Sequence, residues 1–478
     1  WTPLVDMVIA SAMQPIWRFM MENNTQLKEM IRSMVIDLLQ GQKQEAASSQ
    51  PVKQAPRGQV EPGVFDTVDD AIQAAKAAQA RFEDCTLATR EKVIADIRAT
   101  MRPRVQELAQ KTVEETGMGR VADKVLKLNL TLDKTPGVED LVTECETGDN
   151  GMTLYELSAY GVIGAITPST NPAETLICNT IGMLAAGNAV FFSVHPGAKH
   201  LSRLLVSELN QIIAKSIGIE NLIVTLREPS IESAQEMMLH PDVSLLVVTG
   251  GPGVVKQALQ SGKKVIGAGA GNPPAFVDET ADIKKAAQDI VLGASLDNNI
   301  LCIAEKSVVA MRQIEPQLVQ EMVKAGCVLI DNQQDIQRLV DLTVLPNGTP
   351  NKKFVGKNAS VILDAAHIPY NGDPRLIIMR TPKDHPFAVI EMLMPILPVV
   401  TVDSFDEGLD VCLMLEAGLH HTATMHSLNM ERLNRMARKM KTSIFVKNGP
   451  SYAGLGFSGE GTTTFTIATP TGESTTSA

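Results

Sequence analysis

Six cysteines stand at positions 85, 145, 178, 302, 327 and 412, and an ionised thiol is a strong nucleophile. Three of them lie in apolar surroundings. Cys178 and Cys412 sit in buried-helix patterns and Cys327 in a strand pattern, where a thiol serves as a small core hydrophobe. Cys85 and Cys145 lie among polar residues with no catalytic context. Cys302 differs. It follows the polar stretch Ser295-Leu296-Asp297-Asn298-Asn299, so a loop there would present it to a ligand. No CxxC pair occurs, which argues against a disulfide framework or a zinc site and for a reducing compartment.

Other residues could serve such a nucleophile. Asn171, in TPSTNP directly after an apolar run, has an amide that can donate to a developing oxyanion; the alternative is an Asx turn before Pro172. Glu391 begins EMLMPILPVV, either as a working carboxylate or as a strand-end surface residue. TGGPG at 249–253 follows one apolar run and opens a helix, a place where backbone N–H groups hold anions, although tight turns use the same residues. GAGAG at 267–271 does not fit GxGxxG. His420, His421 and His426 raise metal binding, but no acidic or cysteine partner stands at ligand spacing.

These residues need a scaffold. From 161 onward strands alternate with helices: strands at 161–166, 189–194, 222–226, 244–249 and 264–269, and a second alternating block from about 275 to 446. Strands separated by helices imply a parallel sheet covered on both faces, with ligands at the carboxyl ends of the strands. Residues 61–140 look helical, with Thr67 and Asp70 spaced as a capping box. Residues 140–158 read as a hairpin around Asp149-Asn150-Gly151, a common form of protruding arm. A further strand is expected at Thr463–Ala468.

The chain of 478 residues carries 43 Lys plus Arg against 54 Asp plus Glu, a net charge of −11, and is 44% hydrophobic. That excludes a disordered chain and argues against a general nucleic-acid binder. No run of ~18 apolar residues is present, so no spanning helix is expected. Asp6 interrupts the apolar start and no basic segment precedes it, so no secretory signal is expected; Met20 or Met21 could be the natural start. Leu27, Met30, Ile31, Met34, Val35, Leu38 and Leu39 form one apolar stripe over 24–40, followed by a polar linker at 41–60. Such a tethered helix could dock on a partner, pack on its own globule or attach to a membrane; the polar face lacks the Lys/Arg surplus a membrane would favour.

Taken together, TPSTNP, TGGPG, NNILCIAEK at 298–306 and EMLMPILPVV at 391–400 resemble the aldehyde dehydrogenase superfamily. ETGMGR (115–120), TGDNGM (147–152), VIGAGAGNPPAFVDETAD (265–282), NKKFVGKNAS (351–360), GLHHTATMHS (418–427) and TSIFVKNGPSYAGLG (442–456) are similar to its CoA-acylating branch, in particular the propionaldehyde type of propanediol-utilisation microcompartments. The resemblance spans about 61–473. It implies an α/β fold: a Rossmann-type cofactor domain (61–139 and 159–268), an α/β catalytic domain (269–445) and a β-hairpin oligomerisation arm (140–158 with 446–478). It also implies that 24–40 is a targeting helix into a protein-shelled bacterial compartment, and that the protein is a homodimer or homotetramer in that lumen. Residues 1–23 have no counterpart in the resemblance, and the family's basic C-terminal stretch is not matched.

The resemblance assigns roles. Cys302 becomes the nucleophile, and Asn171 with the Cys302 N–H the oxyanion donors. Thr167, Pro168, Ser169, Ser193, His195, Pro196, Gly251, Gly253, Val254, Ala268, Gly269, Glu391 and Pro395 become the cofactor-binding set for NAD and coenzyme A, with Pro196, Gly251 and Gly253 lining an adenosine pocket that CoA would reuse. Two departures from hydrolytic members matter. Ala268, or Gly267 if the register slips by one, stands where they carry a base glutamate, so water is left poorly activated and acyl transfer to CoA is expected. Ser193 stands where they carry an adenosine-ribose lysine, and no basic residue is placed for a 2′-phosphate, which favours NAD over NADP. The expected reaction is reversible oxidation of propionaldehyde to propionyl-CoA, with acetaldehyde to acetyl-CoA as the alternative substrate. A hydrolytic dehydrogenase and a non-catalytic scaffold that kept the fold are the competing readings.

Overall fold

A computed structural model describes residues 61–475. The targeting helix, the linker and the N-terminal extension expected over residues 1–60 lie outside the described residues, as do 476–478.

Short runs of valine, isoleucine and phenylalanine become strands buried on both faces. The first strand is β1 (Val64–Phe65); four helices then cover Val68–Glu83, Leu87–Met101, Val105–Thr116 and Val121–Lys134. A hairpin follows, β2 (Glu144–Gly148) and β3 (Gly151–Tyr155), before β4 (Val162–Ile166), β5 (Ala189–Ser193), β6 (Ile223–Leu226), β7 (Val243–Thr249) and β8 (Lys264–Ala268). Apart from the hairpin these strands form one parallel six-stranded sheet in the order β1-β6-β5-β4-β7-β8. From β4 the chain winds outward through β5 and β6, then returns to place β7 on β4's other side. The strand order therefore reverses between β4 and β7, where a crevice opens at the carboxyl ends. Phe191, Phe192, Leu176, Ile177 and Leu205 are fully buried in the core around this sheet.

The second sheet uses β9 (Pro274–Val277), β10 (Ser307–Met311), β11 (Cys327–Leu329), β12 (Leu376–Arg380), β13 (Ile396–Val402), β14 (Thr422–His426) and β15 (Ile444–Lys447). It is parallel throughout, in the order β11-β12-β13-β10-β9-β14-β15. The link between the sheets, 269–273, is short.

Three details correct the sequence reading. Thr67 caps its helix by accepting from the Asp70 N–H at 3.2 Å, but Asp70 takes the Thr67 hydroxyl at 2.6 Å instead of the backbone N–H, so only half of a capping box forms. The strand expected over Thr463–Ala468 shrinks to β16 (Ile467–Ala468). The residues before it pack inward instead, and Thr463 donates its N–H to the Lys134 carbonyl at 2.9 Å. The two halves expected to share one arm are separate: β16 pairs antiparallel with β17 (Ser474–Thr475), and the hairpin pairs only within itself. The hairpin has the expected two-residue turn, with Gly148 opposite Gly151, and each of its strand residues is exposed.

Candidate active site

Cys302 stands in a turn between the helix Ile283–Ser295 and β10. Three consecutive residues before it, Asp297, Asn298 and Asn299, adopt left-handed backbone at φ 50°, 56° and 66°. Asp and Asn enter that region at lower cost than other side chains, yet each still costs about 1 kcal/mol. Their side chains hold the loop there. Asn298 donates its amide to the Gly356 carbonyl and to Asn358 Oδ1, both at 2.8 Å. Asn299 donates to the Ala294 carbonyl at 2.7 Å and the Glu305 carbonyl at 2.9 Å. Lys306 closes the turn: its ammonium donates to Asn299 O (2.8 Å), Asn299 Oδ1 (2.7 Å) and Leu301 O (2.9 Å), one acceptor for each of its three protons.

The resting site does not favour a thiolate. Burial pushes the Cys302 thiol up to about 12, the Glu391 carboxylate adds to the rise, and Lys306 opposes it. Burial in turn pushes Lys306 down to about 8 and holds Glu391 above the usual carboxylate range. Glu391 is fixed by the Gly271 N–H, which donates to Oε1 at 3.2 Å. Position 271 admits only glycine, because a Cβ would lie 2.7 Å from the Cys302 carbonyl and 2.8 Å from His421 Cγ. His421 is buried and neutral, pushed down to about 4 by burial and then by Lys306. Its Nδ1 meets Thr422 Oγ1 at 2.9 Å, and its Nε2 has no hydrogen-bond partner. Leu130, Cys178, Leu301, Ile303, Phe465 and Ile467 form the apolar cluster on which Cys302 packs.

Asn171 follows β4 and precedes the helix Pro172–Ala185. Its side chain makes no capping bond, so the Asx alternative fails. Its Oδ1 instead accepts from the Lys127 ammonium. Lys127 also pairs with Glu174 at 3.0 Å and with Asp297, and Lys124 pairs with the same Asp297 carboxylate at 3.0 Å. All four charged side chains are fully buried. Asp297 further accepts the Arg120 N–H at 2.8 Å. This two-lysine, two-carboxylate cluster joins the Asn171 segment to the Cys302 loop. Sequence reading missed it, along with Lys306. The only signal was a lysine pair, 124 and 127, at helical spacing, which reads equally well as a solvated face.

The expected cofactor residues mark the carboxyl ends of adjacent strands. Thr167, Pro168 and Ser169 follow β4, Ser193, His195 and Pro196 end or follow β5, and Gly251, Gly253 and Val254 follow β7. The Thr167 N–H donates to the Ser193 carbonyl at 3.2 Å, which ties two of these ends together. The buried Thr167 hydroxyl has no partner. Gly251 caps the helix Pro252–Leu259, and a Cβ on Gly251 or Gly253 would meet no other atom within 4 Å. An unpartnered hydroxyl and exposed glycines at a helix N-terminus suit a dinucleotide phosphate. Pro395 is different: its carbonyl accepts from the Ile377 N–H at 2.8 Å, which commits it to the second sheet.

Ala268, buried at the end of β8, lies under the tail. The Gly267 N–H donates to Thr471 Oγ1 at 2.9 Å, and a Cβ on Gly269 would lie 2.7 Å from Pro470. Among the described residues no three His, Cys, Asp or Glu side chains gather as a metal ion would require, and no helix is long and apolar enough to cross a membrane.

Comparison with known proteins identifies relatives of the whole chain. The aldehyde dehydrogenase family pattern matches residues 39–466. Propanal dehydrogenase (CoA-propanoylating) of Salmonella typhimurium is 51% identical over 457 residues, covering 95% of this chain and 96% of that protein. The crystal structure of Rhodopseudomonas palustris propionaldehyde dehydrogenase with bound CoA and an acylated cysteine matches with a TM-score of 0.86 at 49% identity, over 87% of this chain and 96% of that one. A propionaldehyde dehydrogenase from the fucose-utilisation bacterial microcompartment of Clostridium phytofermentans matches with a TM-score of 0.86 at 48% identity, over 87% of this chain and 96% of that one. With two parallel sheets, a cysteine on a braced loop and these relatives, the chain belongs to the aldehyde dehydrogenase family, in the company of its CoA-acylating members.

Proposed function

We propose that this protein oxidises a short aldehyde, propionaldehyde first, to its CoA thioester, with NAD⁺ taking the hydride. Cys302 attacks the carbonyl, and Asn171 and the Cys302 N–H hold the oxyanion; one such donor typically contributes about 3 kcal/mol to the transition state. The apolar cluster of Leu301, Ile303, Phe465 and Ile467 offers a wall for a short acyl chain. Residues 167–169, 193–196 and 251–254 would hold the dinucleotide, with Glu391 toward the nicotinamide ribose. Bound NAD⁺ supplies the hydride acceptor and a cationic ring that favours the Cys302 thiolate. Loss of hydride leaves an acyl-Cys302 thioester, from which Cys302 is freed by the thiol of CoA.

The observation that carries this reading is the end of β8. Ala268 stands between Gly267 and Gly269, beside Thr471 and Pro470, so the end of β8 supplies no carboxylate to activate water and leaves no open space beside those glycines for one. A thiol needs little help from a base, whereas water needs much. The relative from a bacterial microcompartment supports placing this enzyme in such a lumen; residues 24–40 would be its docking helix, and the hairpin, with its exposed apolar side chains, its self-association arm.

The test is NADH formation from propionaldehyde and NAD⁺, with and without CoA, and with the acyl product identified. The expected result is strong CoA dependence, propionyl-CoA as product, slower turnover of acetaldehyde and weak use of NADP⁺. Turnover to propionate without CoA would overturn the thiolysis reading.

A further inference from the structure

The Lys127 ammonium faces the side-chain amide of Asn171. An ammonium has donors only, so the atom facing it must be Oδ1. The amide is planar, so fixing Oδ1 aims Nδ2 the opposite way. The other polar contact of that NH₂ is a long one, 3.4 Å to the neighbouring Thr170 Oγ1. Lys127 is itself held by Asp297 and Glu174 from two other segments, and Lys124 neutralises the remaining charge on Asp297. The cluster is far more elaborate than packing requires, because two buried ion pairs are rarely better than an apolar core of equal volume.

We infer that Lys127 is a positioning residue for the reaction: it locks the Asn171 amide in the one flip state that presents Nδ2 as an oxyanion donor, and through Asp297 it ties that donor to the loop carrying Cys302. The inference rests on the oxyanion role proposed for Asn171. Without Lys127 the amide can turn over, and its oxygen would then face the developing negative charge.

The test is a double-mutant cycle read as the single-turnover rate of NADH formation in the holoenzyme, using Asn171→Ala, Lys127→Met and the pair. Cofactor-free alkylation of Cys302 by iodoacetamide and the melting temperature are followed in parallel. Asn171→Ala should slow the step about 10²-fold. Lys127→Met should slow it at least tenfold, with the aldehyde KM and the alkylation rate nearly unchanged, and should add nothing in the Asn171→Ala background. Lys127→Met at wild-type speed would overturn the inference, as would effects that multiply in the pair. A fast Asn171→Ala enzyme would overturn the oxyanion role itself and this inference with it. Where Lys127→Met does not fold, Lys127→Met/Glu174→Gln leaves the cluster neutral and is carried through the same cycle with the same criteria.

Discussion

At the scale of the residue, the proposed chemistry turns on the Cys302 thiol, which burial and Glu391 push up to about 12. A group at about 12 gives no plateau across the ordinary working range, so alkylation of Cys302 in the cofactor-free enzyme should climb tenfold per pH unit from 7 to 10. A plateau near 8.5 would show an unperturbed thiol instead. The neighbours should move that rate in opposite senses. Glu391→Gln removes a like charge, lowers the thiol and should quicken alkylation at pH 8 several-fold; Lys306→Met removes the opposing cation and should slow it. Both Cys302 and Asn171 could be picked from the sequence because they sit at breaks in pattern, a polar loop and the end of a strand. Lys127 and Lys306 could not, because nothing in local spacing separates a buried, fully partnered lysine from a solvated one.

At the scale of the element, the strands were the most legible part. β4 to β8 are continuous apolar runs bounded by glycine, proline or polar residues, and such runs survive any tertiary context that covers both faces. The helix Val121–Lys134 was the least legible. It buries Asp123, Lys124 and Lys127 together with Leu128 and Leu132, so its polar and apolar stripes both face protein. The tail was misread for a related reason: its threonines have strand character, but the Thr463 N–H goes to the Lys134 carbonyl and the Thr466 hydroxyl to Thr249 and Asn179. The hairpin carries the clearest expectation at this scale. Met152, Leu154, Tyr155 and Leu157 are 65%, 52%, 51% and 69% exposed, and large apolar side chains clustered on an exposed ribbon mark an interface. With the hairpin as the proposed self-association arm, Leu154→Asp/Tyr155→Asp should give smaller species than the wild type in sedimentation while leaving the Cys302 alkylation rate intact; an unchanged sedimentation coefficient would overturn that role.

At the scale of the whole molecule, two buried titrations oppose each other. His426 is pushed down to about 4 by burial and then by Lys285, so the unfolded chain takes up protons first as pH falls below 6.5, and stability drops. Burial pushes Glu305 up to about 7, so there the folded chain takes up protons first and stability rises over the same interval. Between pH 7 and 5 each amounts to about 2 kcal/mol. Denaturant unfolding should therefore show a shallower loss on acidification for His426→Gln than for the wild type, and a steeper one for Glu305→Gln; parallel curves for all three would refute both assignments. A chain lacking residues 1–60 should turn over normally yet fail to copurify with compartment shells. The buried charge cluster reaches further than the active site. Lys124, Lys127 and Glu174 leave the ribosome well before Asp297, and removing one partner from a buried pair costs about 3–5 kcal/mol. Until translation reaches the Cys302 loop Lys124 has no carboxylate of its own to pair with, so the helices Val121–Lys134 and Pro172–Ala185 are expected to settle fully only once Asp297 has joined them, and protease resistance of these helices in a chain ending before Asp297 would refute that.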